Sequence, residues 1–233
     1  MAFTNAQSRL ILALDVPNVA AAERLVDATR GEVGVYKIGL ELALAGGLPL
    51  AQSMATAGLS VFLDMKLLDI ANTVAGGVRS AGTLGVKYLT VHAYPQALAA
   101  AVAARPPGLS VVAVTVLTSL HDVDLAAAGY TASAKDLVAT RIASAVASRA
   151  DAIVCSPQEA ALAAGRGLAV ITPGVRLPED SPNDQKRIAT PGAAIQNGAD
   201  AVVVGRPITA APDPAAAAKR YRTAIEAALA TRG

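Results

Sequence analysis

Tryptophan is absent from this 233-residue chain, cysteine occurs once, and aromatic residues make up only 3% of it. The single thiol, Cys155, excludes an internal disulfide, and its apolar setting in DAIVCS marks it as a buried core group. Charge is sparse as well, at 16% of residues with a formal net charge of +2. Arginine supplies fourteen of the 20 cations, and they are scattered. That pattern excludes a nucleic-acid stripe and a basic membrane patch, while anionic small molecules remain open as ligands. No uninterrupted apolar run reaches the length of a membrane span, and MAFTNAQSR at the N-terminus has no apolar signal core. A reducing, cytoplasmic location is the expectation.

What is present is apolar and periodic. The composition is 53% hydrophobic and rich in Ala, Val and Leu, which suits helices packed on a parallel sheet. Eight short strand-like runs occur: LILALD (10–15), GVYKIG (34–39), VFLDMK (61–66), YLTVHA (88–93), VVAVTVLT (111–118), DAIVCS (151–156), AVITPG (169–174) and AVVVGR (201–206). Helical runs alternate with them near 19–30, 47–57, 72–82, 95–104, 134–148, 157–164, 191–197 and 214–230. Ser156-Pro157, Thr190-Pro191 and Asp213-Pro214 each place a capping side chain just before a proline suited to the first helical position. Eight strand–helix units predict a (β/α)8 TIM barrel, an α/β fold occupying residues 1–233 as a single domain. A doubly wound sheet would want a glycine-rich phosphate turn after its first strand, and LALDVPNVA contains no glycine.

The stretch VFLDMKLLDI, residues 61–70, sets three charges into an apolar strand. Strand alternation puts Asp64 and Lys66 on one face with Phe62 below them, Val61, Leu63 and Met65 on the other, and Asp69 just past the strand end. A buried ion pair kept for fold specificity is one reading; a prepared electrostatic site is the other. Barrel active sites lie at the C-terminal strand ends, and polar residues concentrate there. Asp15 closes the first strand, Lys37 sits in the second, His92 ends the fourth, Thr118 and Ser119 end the fifth, and Arg206 ends the eighth. Asp15 could instead cap a helix, Lys37 could snorkel and His92 could be a core residue, but their shared position favours a site. His121 reads as an ordinary loop residue. The long polar connection TPGVRLPEDSPNDQKRIATPG supplies Arg176 and Gln185, with Gly205 and Arg206 facing it from the next strand end. Arginine forks and a close-approach glycine suit a phosphate better than a solvated loop needs.

These segments carry a resemblance. LALD, YKIG, FLDMKLLDIANTV, VTVLTS, VTPGVR, the DQKR-ATP segment and VVGRPIT resemble, in order and spacing, the orotidine 5'-monophosphate decarboxylase family almost end to end. The resemblance implies conversion of orotidine 5'-monophosphate to uridine 5'-monophosphate and CO2, the last step of UMP biosynthesis, with no cofactor and no metal. It makes Lys66 the proton donor to C6, in a catalytic array with Asp64, Lys37 and Asp69. Asp15 and Lys37 would hold ribose hydroxyls, Thr118 with Ser119 the pyrimidine, and Arg176, Gln185, Gly205 and Arg206 the phosphate. It further implies a homodimer in which Asp69 and Thr73 complete the partner's site, and closure of the 176–190 loop. Leu67-Leu68 and Ala71 depart from the family pattern, beside the implied dimer contact. Related magnesium-dependent sugar-phosphate enzymes share DxKxxD but carry an acidic residue where this chain has Lys37, and a cation there opposes a bound Mg²⁺. A barrel that binds nucleotides without chemistry would be expected to lose Lys66 or Asp64, and both are present.

Overall fold

Each predicted strand run forms a strand in the computed structural model of the chain, which describes residues 3–180 and 189–231. The strands are β1 (Leu10–Ala13), β2 (Val35–Ile38), β3 (Ser60–Leu67), β4 (Tyr88–His92), β5 (Ser110–Val114), β6 (Ala152–Val154), β7 (Ala169–Thr172) and β8 (Ala201–Val204). They pair in parallel in that order, and β8 returns to β1 to close the barrel. Around them run α1 (Val19–Thr29), α2 (Leu40–Leu42), α3 (Leu48–Thr56), α4 (Ala71–Thr83), α5 (Pro95–Ala104) and α6 (Asp122–Ala127). The circuit continues with α7 (Ala134–Ala147), α8 (Ala160–Ala163), α9 (Pro191–Gln196), α10 (Arg206–Thr209) and α11 (Pro214–Ala230). Among the described residues, no helix is long and apolar enough to cross a membrane.

Strand alternation sorts the apolar side chains into two cores. Leu10, Leu12, Tyr36, Ile38, Val61 and Leu63 face outward and meet helix residues such as Val26, Met54, Val78, Ile142 and Ile225. Ile11, Ala13, Val35, Phe62, Tyr88, Val112 and Ile171 face inward and fill the barrel, joined by Phe3. Phe3 stacks on Tyr88 at 6.1 Å, and Tyr88 meets Phe62 edge-on at 5.7 Å, so aromatic rings close the N-terminal half of the bore. The apolar floor that Phe62 provides leaves only the C-terminal half open to polar groups.

Helix starts follow the capping chemistry. Thr190 Oγ1 accepts from Ala193 N at 3.2 Å and Asp213 Oδ1 from Ala216 N at 2.9 Å, each satisfying a first-turn donor, typically worth about 1 kcal/mol. The expected helix over 157–164 shrinks to α8. There Ser156 donates both its N–H and its hydroxyl to Glu159 Oε2, at 3.1 and 2.7 Å, and this side-chain turn occupies the residues after the cap. Three helical pieces were not expected from the sequence: α6, α10, and α2 with the π-helical turn Ala43–Gly47 that leads into α3. In that turn Gly46 takes φ +95°, a left-handed conformation available to glycine without strain. The strands also stop earlier than their apolar runs. Asp15, Thr118 and Ser119 lie in the connections beyond the last ladder pairs, and Arg206 opens α10.

Gly34 shows how tightly the N-terminal segment packs beneath the barrel. A Cβ there would stand 2.5 Å from both Gln7 O and Ser8 Cα, which are backbone atoms with little freedom to move. Gly34→Ala is therefore expected to lower stability by about 1–3 kcal/mol, an overpacking cost readable as a reduced urea midpoint with an unchanged slope.

Candidate active site

The inward face of β3 carries Phe62, then Asp64 and Lys66, as alternation predicts, but the strand is not regular there. Leu63 pairs with Leu89 and Leu67 with Val91, so residues 64–66 of β3 stand opposite Thr90 alone. Lys66 absorbs part of this bulge with φ +50°, a region a non-glycine residue occupies at a cost of about 1–3 kcal/mol. The result is a strand end whose two charged side chains crowd into the mouth of the barrel.

Lys37 on β2 meets them. Its Nζ lies 3.2 Å from Asp64 Oδ2 and 3.1 Å from Asp15 Oδ1, while Lys66 Nζ lies 2.9 Å from Asp64 Oδ1. Four charges thus alternate in sign along one wall. Exposure grades along the array, from 9% for the Lys37 side chain and 13% for Asp64 to 31% for Lys66 and 56% for Asp15. Burial alone would raise the Asp64 pKa, but the Lys37 and Lys66 ammonium groups outweigh it and hold the carboxyl below its ordinary value. Burial likewise pushes against the Lys37 charge, and Asp64 and Asp15 reverse it, holding that ammonium above its ordinary range. Gly39 makes room for the pair: a Cβ there would come 2.5 Å from Asp15 Oδ1 and 3.3 Å from Lys37 Nζ.

These residues line a cavity of about 510 Å³, whose lining also includes Thr118 and Ser119 beyond β5, Arg176 beyond β7, and Gly205 and Arg206 beyond β8. Arg176 follows β7 and is buried, its Nη1 donating to Val175 O at 2.8 Å. Burial, with the Arg206 charge beside it, pushes the Arg176 guanidinium below its ordinary value. The chain after Arg176 is pinned to α11. Tyr221 donates a very short hydrogen bond to Asp180 Oδ2, which also accepts from Leu177 N at 2.9 Å. Burial and that carboxylate push the Tyr221 phenol well up.

The structure gathers Asp15, Lys37, Asp64, Lys66, Thr118, Ser119, Arg176, Gly205 and Arg206 around one cavity. Asp69 and Thr73 do not line it; both are exposed, on the segment where β3 leads into α4. Gln185 lies outside the described residues. His92 ends β4 without lining the cavity, and its buried Nδ1 has no hydrogen-bond partner among the described residues. Burial, with Arg141 and Lys66 nearby, pushes its pKa down. His121 precedes α6, and its backbone N–H donates to Asp124 Oδ2 at 2.8 Å. Sequence reasoning missed Glu41 and Thr209 in the lining, and Thr90 behind it. Nothing in the run YLTVH sets Thr90 apart, because its partners are fixed only by the pairing of β3 with β4. Among the described residues no group of three His, Cys, Asp or Glu side chains could hold a metal ion.

A closed (β/α)8 barrel with a four-charge array and two arginines sharing one cavity at its C-terminal mouth is the class that fold and site define. Comparison with known proteins narrows it: the model of the orotidine 5'-phosphate decarboxylase / HUMPS family matches residues 8–221, and the chain belongs to that family. It is 53% identical over 219 residues to the orotidine 5'-phosphate decarboxylase of Afipia carboxidovorans, covering 92% of this chain and 93% of that one. The corresponding protein of Methylorubrum populi is 54% identical over 224 residues, covering 94% and 96%. The crystal structure of orotidine 5'-phosphate decarboxylase from Lactobacillus acidophilus superposes with a TM-score of 0.81 at 32% identity, over 93% of this chain and 98% of that one.

The array couples acid to stability. A carboxyl whose folded pKa lies below its unfolded value stabilises the fold fully above that unfolded value, and the contribution is lost as pH falls through the folded one. For Asp64, whose ordinary value is 3.8, the loss begins near that pH and continues below it. Acid unfolding followed by circular dichroism should show this limb in the wild type and lack it in Asp64→Asn.

Proposed function

We propose that this protein catalyses the cofactor-independent decarboxylation of orotidine 5'-monophosphate to uridine 5'-monophosphate and CO2 in pyrimidine biosynthesis. One observation carries the reading: the Lys37–Asp64–Lys66 array and the Arg176–Arg206 wall share a single cavity. An anionic tail held at the arginine wall places the other end of a nucleotide against the array. Family membership and the high-coverage relatives support the same activity.

In the proposed reaction the C6–carboxylate bond breaks, CO2 leaves, and its electron pair stays on C6. Lys66 Nζ then gives its proton to C6. The charges are already fixed by ion pairs of 2.9–3.2 Å, so little reorganisation is needed as carbanion character develops. Asp64 would stand next to the departing carboxylate, where like charge raises the ground state. Asp15 and Lys37 hold ribose hydroxyls, Thr118 and Ser119 meet the pyrimidine, and Arg176, Gln185, Gly205 and Arg206 hold the phosphate. Phosphate binding energy, realised far from C6, is available to exclude water and hold the charged array in place; the closure expected of the 176–190 loop falls largely on residues outside the described ones. Magnesium-dependent chemistry is disfavoured by Lys37, whose ammonium occupies the space between the two carboxylates a metal would use.

The functional unit we propose is a homodimer of single-domain barrels, each spanning residues 1–233, with Asp69 and Thr73 entering the partner's site. Support comes from their exposure beside Leu68 and Ile70, which are 48% and 72% exposed. A surface pair of that kind gains by being covered. A cytoplasmic location suits an enzyme with one thiol, the buried Cys155.

Purified protein is expected to convert orotidine 5'-monophosphate to uridine 5'-monophosphate at a rate that EDTA leaves unchanged. Lys66→Ala should abolish turnover yet still bind uridine 5'-monophosphate by calorimetry; near-normal turnover would refute the proton-donor role. Mixing inactive Lys66→Ala with inactive Asp69→Ala should restore about a quarter of wild-type activity, because half the dimers are mixed and each has one intact composite site. No recovery after subunit exchange would place Asp69 outside a shared site.

A further inference from the structure

We infer that Thr90 is a positioning residue for the proton donor: its hydroxyl bridges Asp64 and the Lys66 backbone and so sets where the Lys66 ammonium stands. The inference rests on the decarboxylase reading above, since it concerns the same proton transfer. Thr90 is completely buried on the inward face of β4 and does not line the cavity, so it touches no ligand itself.

Where β3 spends residues 64–66 against Thr90 alone, the regular ladder is broken, and a buried backbone donor left there would be costly. Thr90 supplies the missing partner. Its Oγ1 accepts from Lys66 N at 2.8 Å and lies 3.0 Å from Asp64 Oδ1. A hydroxyl has one proton, and a carboxylate can only accept, so that proton goes to Asp64 while an oxygen lone pair takes the Lys66 N–H. Both bonds are therefore fixed in direction. The same Asp64 Oδ1 also faces Lys66 Nζ at 2.9 Å, so the side chain and backbone of Lys66 are tied to Thr90, the first through Asp64 and the second directly.

Lys66 holds φ +50° at this bulge, one residue before the end of β3. The left-handed turn aims the side chain along the mouth, and the Thr90 acceptor holds the peptide that makes the turn. Without the hydroxyl, the 64–66 segment can relax towards extended backbone, which moves Nζ relative to a bound ring. The ligand-holding residues Asp15, Arg176 and Arg206 lie on other elements and stay in place. Loss of the bridge should then act on the chemical step and spare binding.

Thr90→Val removes the hydroxyl at nearly constant shape, and Thr90→Ser keeps it. Steady-state kinetics with orotidine 5'-monophosphate should show kcat reduced on the order of tenfold to a hundredfold in Thr90→Val with KM within about twofold of wild type. Thr90→Ser should keep kcat within about threefold of wild type, because the bridge survives. Wild-type kcat in Thr90→Val, or a loss confined to KM, would overturn the inference. Should Thr90→Val fail to fold, Thr90→Ser decides: retained kcat supports the bridge, and a tenfold loss with the hydroxyl present overturns it. Absence of turnover in the wild type would instead defeat the decarboxylase reading.

Discussion

The ion pair between Lys37 and Asp64 is the constraint around which this barrel is arranged. Two charges at 9% and 13% side-chain exposure are costly to remove from water, and their attraction offsets that cost only when geometry is good and remaining valences are filled. The surrounding structure supplies those conditions. Asp15 and Lys66 extend the pair into an alternating set, Thr90 donates to Asp64, and Gly39 leaves the space that Asp15 and Lys37 occupy. Phe62, one alternation below, ends the apolar filling of the bore and keeps the charges at the mouth. Apolar residues of similar volume could stabilise the fold as well, so the array is better understood as an electrostatic instrument than as a stabilising contact.

Much of this was legible in the residues. The eight apolar runs located the strands, and period-two alternation placed Phe62, Asp64 and Lys66 on the inward face, as the two cores bear out. Strand-end polarity pointed to seven of the residues that line the cavity, and the long connection after β7 with the glycine facing it added Arg176 and Gly205. What escaped was geometry that several sequences can share. A run such as VVAVTVLT does not reveal that pairing stops at Val114, which leaves Thr118 and Ser119 in a loop. The bulge depends on the register between β3 and β4, and register between parallel strands is set by tertiary packing. Thr90, whose role exists only opposite that bulge, was therefore invisible. The short α2 and α10 begin at or near strand ends, where local propensity is weak and the rim decides.

The departures at Leu67-Leu68 and Ala71 separate once they are placed. Leu67 is the last residue of β3 and packs against the outer core, and Ala71 opens α4. Leu68 is a large apolar side chain left exposed, beside Ile70 and next to the exposed Asp69. The segment is thus continuous with the strand that carries Lys66, and anything that orders it bears on the Lys66 ammonium through a few peptide bonds.

The layout of charge in the mouth has a consequence for how a molecule arrives. Formal charges within the array cancel, two ammonium groups against two carboxylates, and Glu41 sits on the same side of the rim. Arg176 and Arg206 line the mouth at the ends of β7 and β8. Positive charge is therefore concentrated at the β7 and β8 end of the opening, and under the proposed reaction an approaching phosphate monoester would be turned tail-first towards it before any hydrogen bond forms. Such alignment in the encounter weakens as salt shortens the reach of the field, whereas the pairs packed against the barrel wall, little exposed to ions, keep their geometry.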